Sequence, residues 1–139
     1  MIDILSFRLG GLDYGIDMRA VLEIRPLAAL ERFARDGAVI NGVAVSRGVI
    51  LPIVDLRLAF GGSQAGAHTD VIILKLRHST IGLVIDGKAD SLRAHPADIA
   101  SLPGAPSFLT GAITRGERRL FLLDVDALLV PGAAARVAA

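Results

Sequence analysis

The sequence predicts a mainly β protein, two small β-barrels packed side by side with short helical segments between their strands. Three observations carry this. Short runs that alternate apolar and polar residues recur along the 139-residue chain, separated by glycine-containing turns. The order hairpin, short helical or irregular piece, hairpin, aspartate-capped turn occurs twice. Each half, at about 60 to 70 residues, buries too little apolar surface to be comfortably stable alone, so the two are expected to share an apolar seam.

Taken in order, "DILSFRL" alternates in part from Asp3, "GGLD" from Gly10 turns the chain, and "YGID" from Tyr14 resumes an extended run. Together they read as a hairpin. "MRAVLEI" then places Met18, Val21, Leu22 and Ile24 at helical spacing, with Pro26 as the stop, which predicts a short helix. "LAALERFARDG" is expected to extend the helical piece through Arg35. "GAVINGVAVS" and "VILPIV" are strands around a Ser46-Arg47-Gly48 turn, "DLRLAF" is one helical turn capped by Asp55, and "GGSQAGAH", Gly61 to His68, is a linker.

After the linker the pattern begins again. "FRLGGLDYGID" is matched by "LKLRHSTIGLV", setting Leu9 against Leu76 and Gly15 against Gly82. "GVAVSRGVILPIVDLRLAF" from Gly42 aligns without gaps on "GAITRGERRLFLLDVDALL" from Gly111, so Leu51 matches Leu120 and Asp55 matches Asp124. The expected organisation is a single domain over 1–139, with a first barrel at 1–62, a second at 69–131, and exchange of strands between the lobes left open. Alternation turns Leu51, Ile53, Leu120 and Leu122 inward. Asp55 and Asp124 are expected to be helix N-caps with a structural role.

Fifteen Lys+Arg against fourteen Asp+Glu give a net charge of +1, too weak a field to favour nucleic acid, an anionic membrane or an acidic substrate. The absence of cysteine removes disulfides, thiolate nucleophiles and Cys-based zinc sites, and suits a reducing compartment. "MIDILSFRLGG" lacks a basic leader, and Asp55, Arg57, Pro131 and Gly132 interrupt the best apolar runs, so neither a signal peptide nor direct membrane insertion is expected. The expectation is a cytoplasmic protein. His68, His78 and His95 show no metal-ligand or base-nucleophile spacing and read as solvated side chains. "DVD", Asp124 to Asp126, lacks the remaining oxygen ligands and the glycine of a calcium loop. No phosphate cradle, nucleophile elbow or zinc-protease motif occurs, so an enzyme is not expected, nor is any cofactor or metal. Aromatic residues make up 4% of the chain, and Phe7, Phe60, Phe108 and Phe121 lie among apolar neighbours, which leaves little for base stacking. Arg115, Arg118 and Arg119 read as the solvated tip of a hairpin.

Four segments in order carry a resemblance. "FRLGGLDYGIDMRAVLEI" supplies Tyr14, Gly15, Ile16, Asp17, Val21, Glu23 and Ile24; "SRGVILPIVDLRLAF", "IGLVIDGKADSL", and "FLTGAI" with "LFLLDVDALL" follow. Over nearly its whole length the chain resembles CheW-type chemotaxis coupling proteins, a domain also found as the regulatory module of CheA-type histidine kinases. The resemblance implies two SH3-like barrels and a non-enzymatic adaptor that joins the cytoplasmic tip of a chemoreceptor to the regulatory domain of a CheA-type kinase. It sets Arg47 and Gly48 where the family carries receptor-coupling residues, and Val21, Glu23 and Gly42 near positions of partner contact. The chain has Val45-Ser46 where the family usually has Asn-Leu, and Lys88 and Ser91 where apolar residues are usual. The alternative is a diverged small-barrel module that binds nucleic acid or another protein.

Overall fold

The computed structural model of the chain describes residues 1–33, 40–55 and 69–129. Its strands are β1 (Ile2–Leu9), β2 (Leu12–Asp17), β3 (Val21–Pro26), β4 (Glu31–Phe33), β5 (Ile40–Ser46), β6 (Val49–Asp55), β7 (Asp70–Lys75), β8 (Thr80–Val84), β9 (Asp86–Ala94), β10 (Leu109–Arg115) and β11 (Arg118–Leu123). Single 3-10 turns occupy Met18–Ala20, Leu27–Ala29 and Pro96–Asp98, and one short helix, α1, spans Val125–Leu128. The mainly β expectation holds.

The strands form two sheets, one ordered β10-β11-β2-β1-β9 and the other β3-β7-β8-β6-β5-β4. Neither sheet follows one half of the chain. The opening hairpin β1–β2 joins the closing hairpin β10–β11 through a parallel β2·β11 pair, and β7–β8 joins β5–β6 through a parallel β8·β6 pair. Each sheet thus contains one hairpin from each of the two lobes drawn from the sequence, 1–62 and 69–131. The repeat reappears as geometry at these parallel joints, where Gly15 faces Leu122 and Gly82 faces Ile53. A Cβ on Gly15 would lie 2.8 Å from Ile4 Cγ2 and 3.2 Å from Leu122 Cδ2; one on Gly82 would lie 2.8 Å from Ile53 Cδ1 and 3.0 Å from Val71 Cγ1. The two glycines matched in the sequence serve the same purpose, close passage of a strand under a branched side chain.

The core has three parts, and strand alternation explains them. On β1, Ile4 turns into a small interior with Ala94, Ile113 and Leu120, while Leu5, Phe7 and Leu9 turn the other way. On β6, Leu51 and Ile53 turn into the matching interior with Leu27, Leu30, Val71, Ile73 and Val84, while Val54 turns away from them. The residues that turn away, with Ile72, Leu74, Leu83, Leu123 and Leu128, form one large cluster between the sheets. Strands buried on both faces give nearly continuous apolar runs such as "VIILK". Leu51, Ile53 and Leu120 are buried as alternation predicts, and Leu122 is half-buried against the same interior as Leu120.

Two local expectations are corrected. Met18–Ile24 is not a helix. Asp17 caps a single 3-10 turn by accepting a hydrogen bond from the Arg19 N–H, and the chain then runs extended as β3. Val21 and Ile24 are β-branched and suit a strand, and β3 is the edge strand of its sheet, where Pro26 at the last position is tolerated. The helical extension through Arg35 is likewise replaced, up to the described limit, by a 3-10 turn at Leu27–Ala29 and by β4. Asp124 does cap α1, accepting from the Ala127 N–H at 3.3 Å. Asp55 closes β6, and the turn expected after it, like the linker Gly61 to His68, lies outside the described residues.

Candidate partner-binding face

The β5–β6 hairpin turns on two residues with positive φ, Arg47 at 52° and Gly48 at 78°. That is the geometry whose twist matches the flanking strands, and it favours Asn-Gly or Gly-Gly. Glycine adopts it freely. For Arg47 the left-handed region brings Cβ towards the carbonyl oxygen and costs roughly 1–2 kcal/mol.

The Arg47 side chain is 77% exposed, and its Nε donates to Glu23 Oε2 at 3.1 Å. Glu23 Oε1 lies 3.9 Å from Arg25 Nε, and Arg25 Nη1 donates at 3.2 Å to the buried Ser46 Oγ. Glu23, Arg25, Ser46 and Arg47 therefore tie β3 to the β5–β6 turn, although three strands separate β3 from β5 in the sheet order. The sheet has curled until its edge strand meets the hairpin, which is the barrel closure. Arg25 and Ser46 were not singled out from the sequence. Their signal was available: Arg25 stands two residues from Glu23, on the same face of an extended strand.

Val21 is half-buried, paired with Leu74 and packed against the central cluster. Its neighbours Ala20 and Leu74, with Ile16, Leu76, Leu123 and Val125, line a cleft of about 230 Å³ that Asp17, Asp124 and Asp126 also border. The carboxyl of Asp17 is held below its ordinary range, chiefly by its hydrogen bond from the Arg19 side chain. Gly42 lies in β5, inside the irregular stretch where the ladder shifts between Ile40 and Val43. Four large apolar side chains are exposed on β3 and at the head of β6: Leu22, Ile24, Val49 and Ile50, the last at 71%. Leu22 and Ile24 were hidden by the helical reading of β3. Val49 and Ile50 carried no signal of exposure, because consecutive apolar residues are equally the mark of a strand buried on both faces, as in β7.

Of the five site residues named from the sequence, the structure joins Glu23 to Arg47 directly, sets Gly48 beside Arg47 in the turn, places Val21 two residues from Glu23 along β3, and puts Gly42 inside β5, the strand that leads into the turn.

Several of the other candidates have structural roles. His95 caps the 3-10 turn at Pro96–Asp98 and His78 sits in an exposed bend, while His68 lies outside the described residues. Among the described residues no group of His, Cys, Asp or Glu is arranged to hold a metal ion. Asp126 accepts a hydrogen bond from the Arg77 backbone. Phe7, Tyr14 and Phe108 are buried, burial pushes the Tyr14 phenol up, and Phe121 is half-buried beneath the Arg119 guanidinium. Lys88 bonds the carboxylate of Asp70 at 3.3 Å, and the Ala89 N–H donates to the same buried carboxylate at 3.2 Å, which accounts for a lysine at that position. Nothing in the structure explains Ser91. No helix among the described residues is long and apolar enough to cross a membrane.

Comparison with known proteins bears on the fold and the family. The chain is 39% identical over 134 residues to a protein named chemotaxis protein CheW of Klebsiella aerogenes, covering 91% of this chain and 81% of that one. It is 28% identical over 135 residues to protein FrzA of Myxococcus xanthus, covering 91% and 84%. The fold matches the crystal structure of scaffolding protein TtCheW from Thermoanaerobacter tengcongensis with a TM-score of 0.80 at 20% identity, over 94% of this chain and 90% of that one. The family model of the CheW-like domain matches residues 3–131, and the chain belongs to that family.

Proposed function

We propose that this protein is a non-enzymatic signalling adaptor that couples methyl-accepting chemoreceptors to a CheA-type histidine kinase, and that Val21, Glu23, Gly42, Arg47 and Gly48 mark its partner-binding face. The observation that carries the site is Arg47 itself. It occupies a turn position that asparagine or glycine fills at less cost, and an exposed ion pair returns only about 0.2–1 kcal/mol. Turn geometry and stability together therefore give little reason for an arginine here. Its ion pair to Glu23 instead holds a planar, five-donor fork close to exposed apolar side chains, with Val49 and Ile50 following the turn in β6 and Leu22 and Ile24 flanking Glu23 in β3. A fork beside apolar side chains fits an amphipathic receptor helix that brings a carboxylate and an apolar stripe together.

The reading is tested by titrating a receptor cytoplasmic-tip fragment and the kinase regulatory domain against the wild-type protein, Arg47→Ala and Glu23→Ala. Arg47→Ala weakens receptor binding by about 1–4 kcal/mol and kinase binding by less. Glu23→Ala, which frees the guanidinium, has a smaller effect in the same direction. Unchanged receptor affinity for a folded Arg47→Ala protein returns the arginine to an ordinary turn residue. The nucleic-acid alternative gains nothing from the structure, since Phe7, Tyr14, Phe108 and Phe121 offer no open stacking surface.

A further inference from the structure

The two closing hairpins align residue for residue, yet their tips carry opposite chemistry. Where β5–β6 has Ser46, Val49 and Ile50, β10–β11 has Arg115, Arg118 and Arg119, all three exposed. Gly116, at φ 59°, makes the turn, and Arg115 and Arg118 stand opposite each other in the ladder. The Arg115 guanidinium donates to the carbonyl of Arg93 at the end of β9, which fixes its stem across the barrel end. Arg118 Nε lies 3.5 Å from Asp13, and the same carboxylate has Arg8 Nε at 3.8 Å, so one acid is shared between two guanidinium groups. Arg119 lies over the Phe121 ring at 5.5 Å and has no carboxylate partner among the described residues. Stacking fixes the plane of that guanidinium and leaves its N–H edge open.

From this arrangement we infer that the β10–β11 tip is a second docking surface, separate from the Glu23–Arg47 face, and that its partner is an acidic polypeptide segment. Charge complementarity selects the acid. The cluster of Arg8, Arg115, Arg118 and Arg119 has Asp13 within reach, and Glu117 in the turn, against four positive charges. Asp13 shows the chemistry the cluster accepts, a carboxylate between guanidinium forks. The outer edge of β10 is taken at Ala112, whose backbone N–H and C=O both pair with Ala100, so the side chains of the tip make the contact rather than strand pairing along β10. Arg115 and Arg118 stand on one face of the hairpin and Arg119 on the other, so a segment crossing the tip sets carboxylates beside both faces. Nucleic acid is disfavoured because Arg119 covers the Phe121 ring at the tip and because carboxylates are set among the arginines.

The probe is a fluorescein-labelled peptide alternating glutamate with valine, titrated against the full chain across a salt series, with a single-stranded oligonucleotide and anionic phospholipid vesicles in parallel. The wild-type protein binds the peptide more tightly than it binds the oligonucleotide or the vesicles, and Arg115→Gln with Arg119→Gln weakens peptide binding by about tenfold or more. The control is Lys75→Gln with Arg77→Gln, two exposed cations of the β7–β8 connection whose loss changes net charge equally. It leaves the affinity within about twofold if the site is local rather than a general effect of charge. Arg47→Ala also leaves peptide binding unchanged, so this inference and the receptor reading fail separately. Equal losses in the arginine pair and the control overturn the proposal, as does tighter binding of the oligonucleotide or the vesicles, or no peptide binding at low salt.

Discussion

Arg47 shows at residue scale how far side-chain chemistry can be read from sequence. An arginine beside glycine at the head of an apolar strand announces a turn, and Glu23 is a natural partner in the same predicted barrel; the structure pairs them at 3.1 Å. The positive φ of Arg47 could not be read, because a Ser-Arg-Gly turn fits several turn types, and only the two-residue register Ser46↔Val49 selects this one. That conformation leads to a prediction that separates stability from binding. Arg47→Asn removes a left-handed arginine and supplies the residue this turn prefers, at the loss of one exposed ion pair. The variant is expected to melt no lower than wild type, and to gain up to about 1 kcal/mol, when thermal unfolding is followed by circular dichroism. A clear loss of stability would mean that the Glu23–Arg47 pair holds the barrel closed and that the arginine is there for the fold.

Hairpins were legible at the scale of elements because their signals are local. "LGGLD" and "TRGER" set both strands and turn, and the observed registers Leu9↔Leu12 and Arg115↔Arg118 follow from them. β3 was not legible. Apolar residues at Met18, Val21 and Leu22 satisfy a helical spacing, and the alternation that would have overruled it is blurred because Leu22 and Ile24 are apolar on a face exposed to solvent. An edge strand with an exposed apolar face imitates a helix in sequence. The capped turn after β11 was readable, since an aspartate before a leucine-rich run has a short-range role. Asp124→Ala is accordingly expected to cost about 0.5–2 kcal/mol in chemical denaturation, and Asp124→Asn, which keeps a capping oxygen, to recover most of it. Equal losses for both variants would assign the aspartate a role in which its charge matters more than its cap.

The internal repeat was visible across the whole molecule, but its consequence was not. Gly15 matched to Gly82 and Leu51 to Leu120 imply two similar units, yet nothing in a repeat says whether a hairpin pairs within its own half or across to the other. The structure pairs across: the parallel ladders β2·β11 and β6·β8 each join strands from opposite halves, and the central cluster draws on both sheets. This has a direct bearing on folding. Residues 1–62 alone carry β1–β2 without β11 and β5–β6 without β8, so neither sheet is complete and the branched side chains over Gly15 and Gly82 lose their counterparts. We propose that the chain folds as one cooperative unit despite its two barrels. Calorimetry of the intact protein is expected to give a single transition whose calorimetric and van't Hoff enthalpies agree. Fragments 1–62 and 69–139 are each expected to remain largely unfolded alone and to acquire β structure when mixed, because every sheet needs one hairpin from each. Two separated transitions in the intact chain, or a fragment that folds alone with native-like protection of its amide hydrogens, would show that a half can close its own barrel and that the exchanged ladders are not what makes the molecule cooperative.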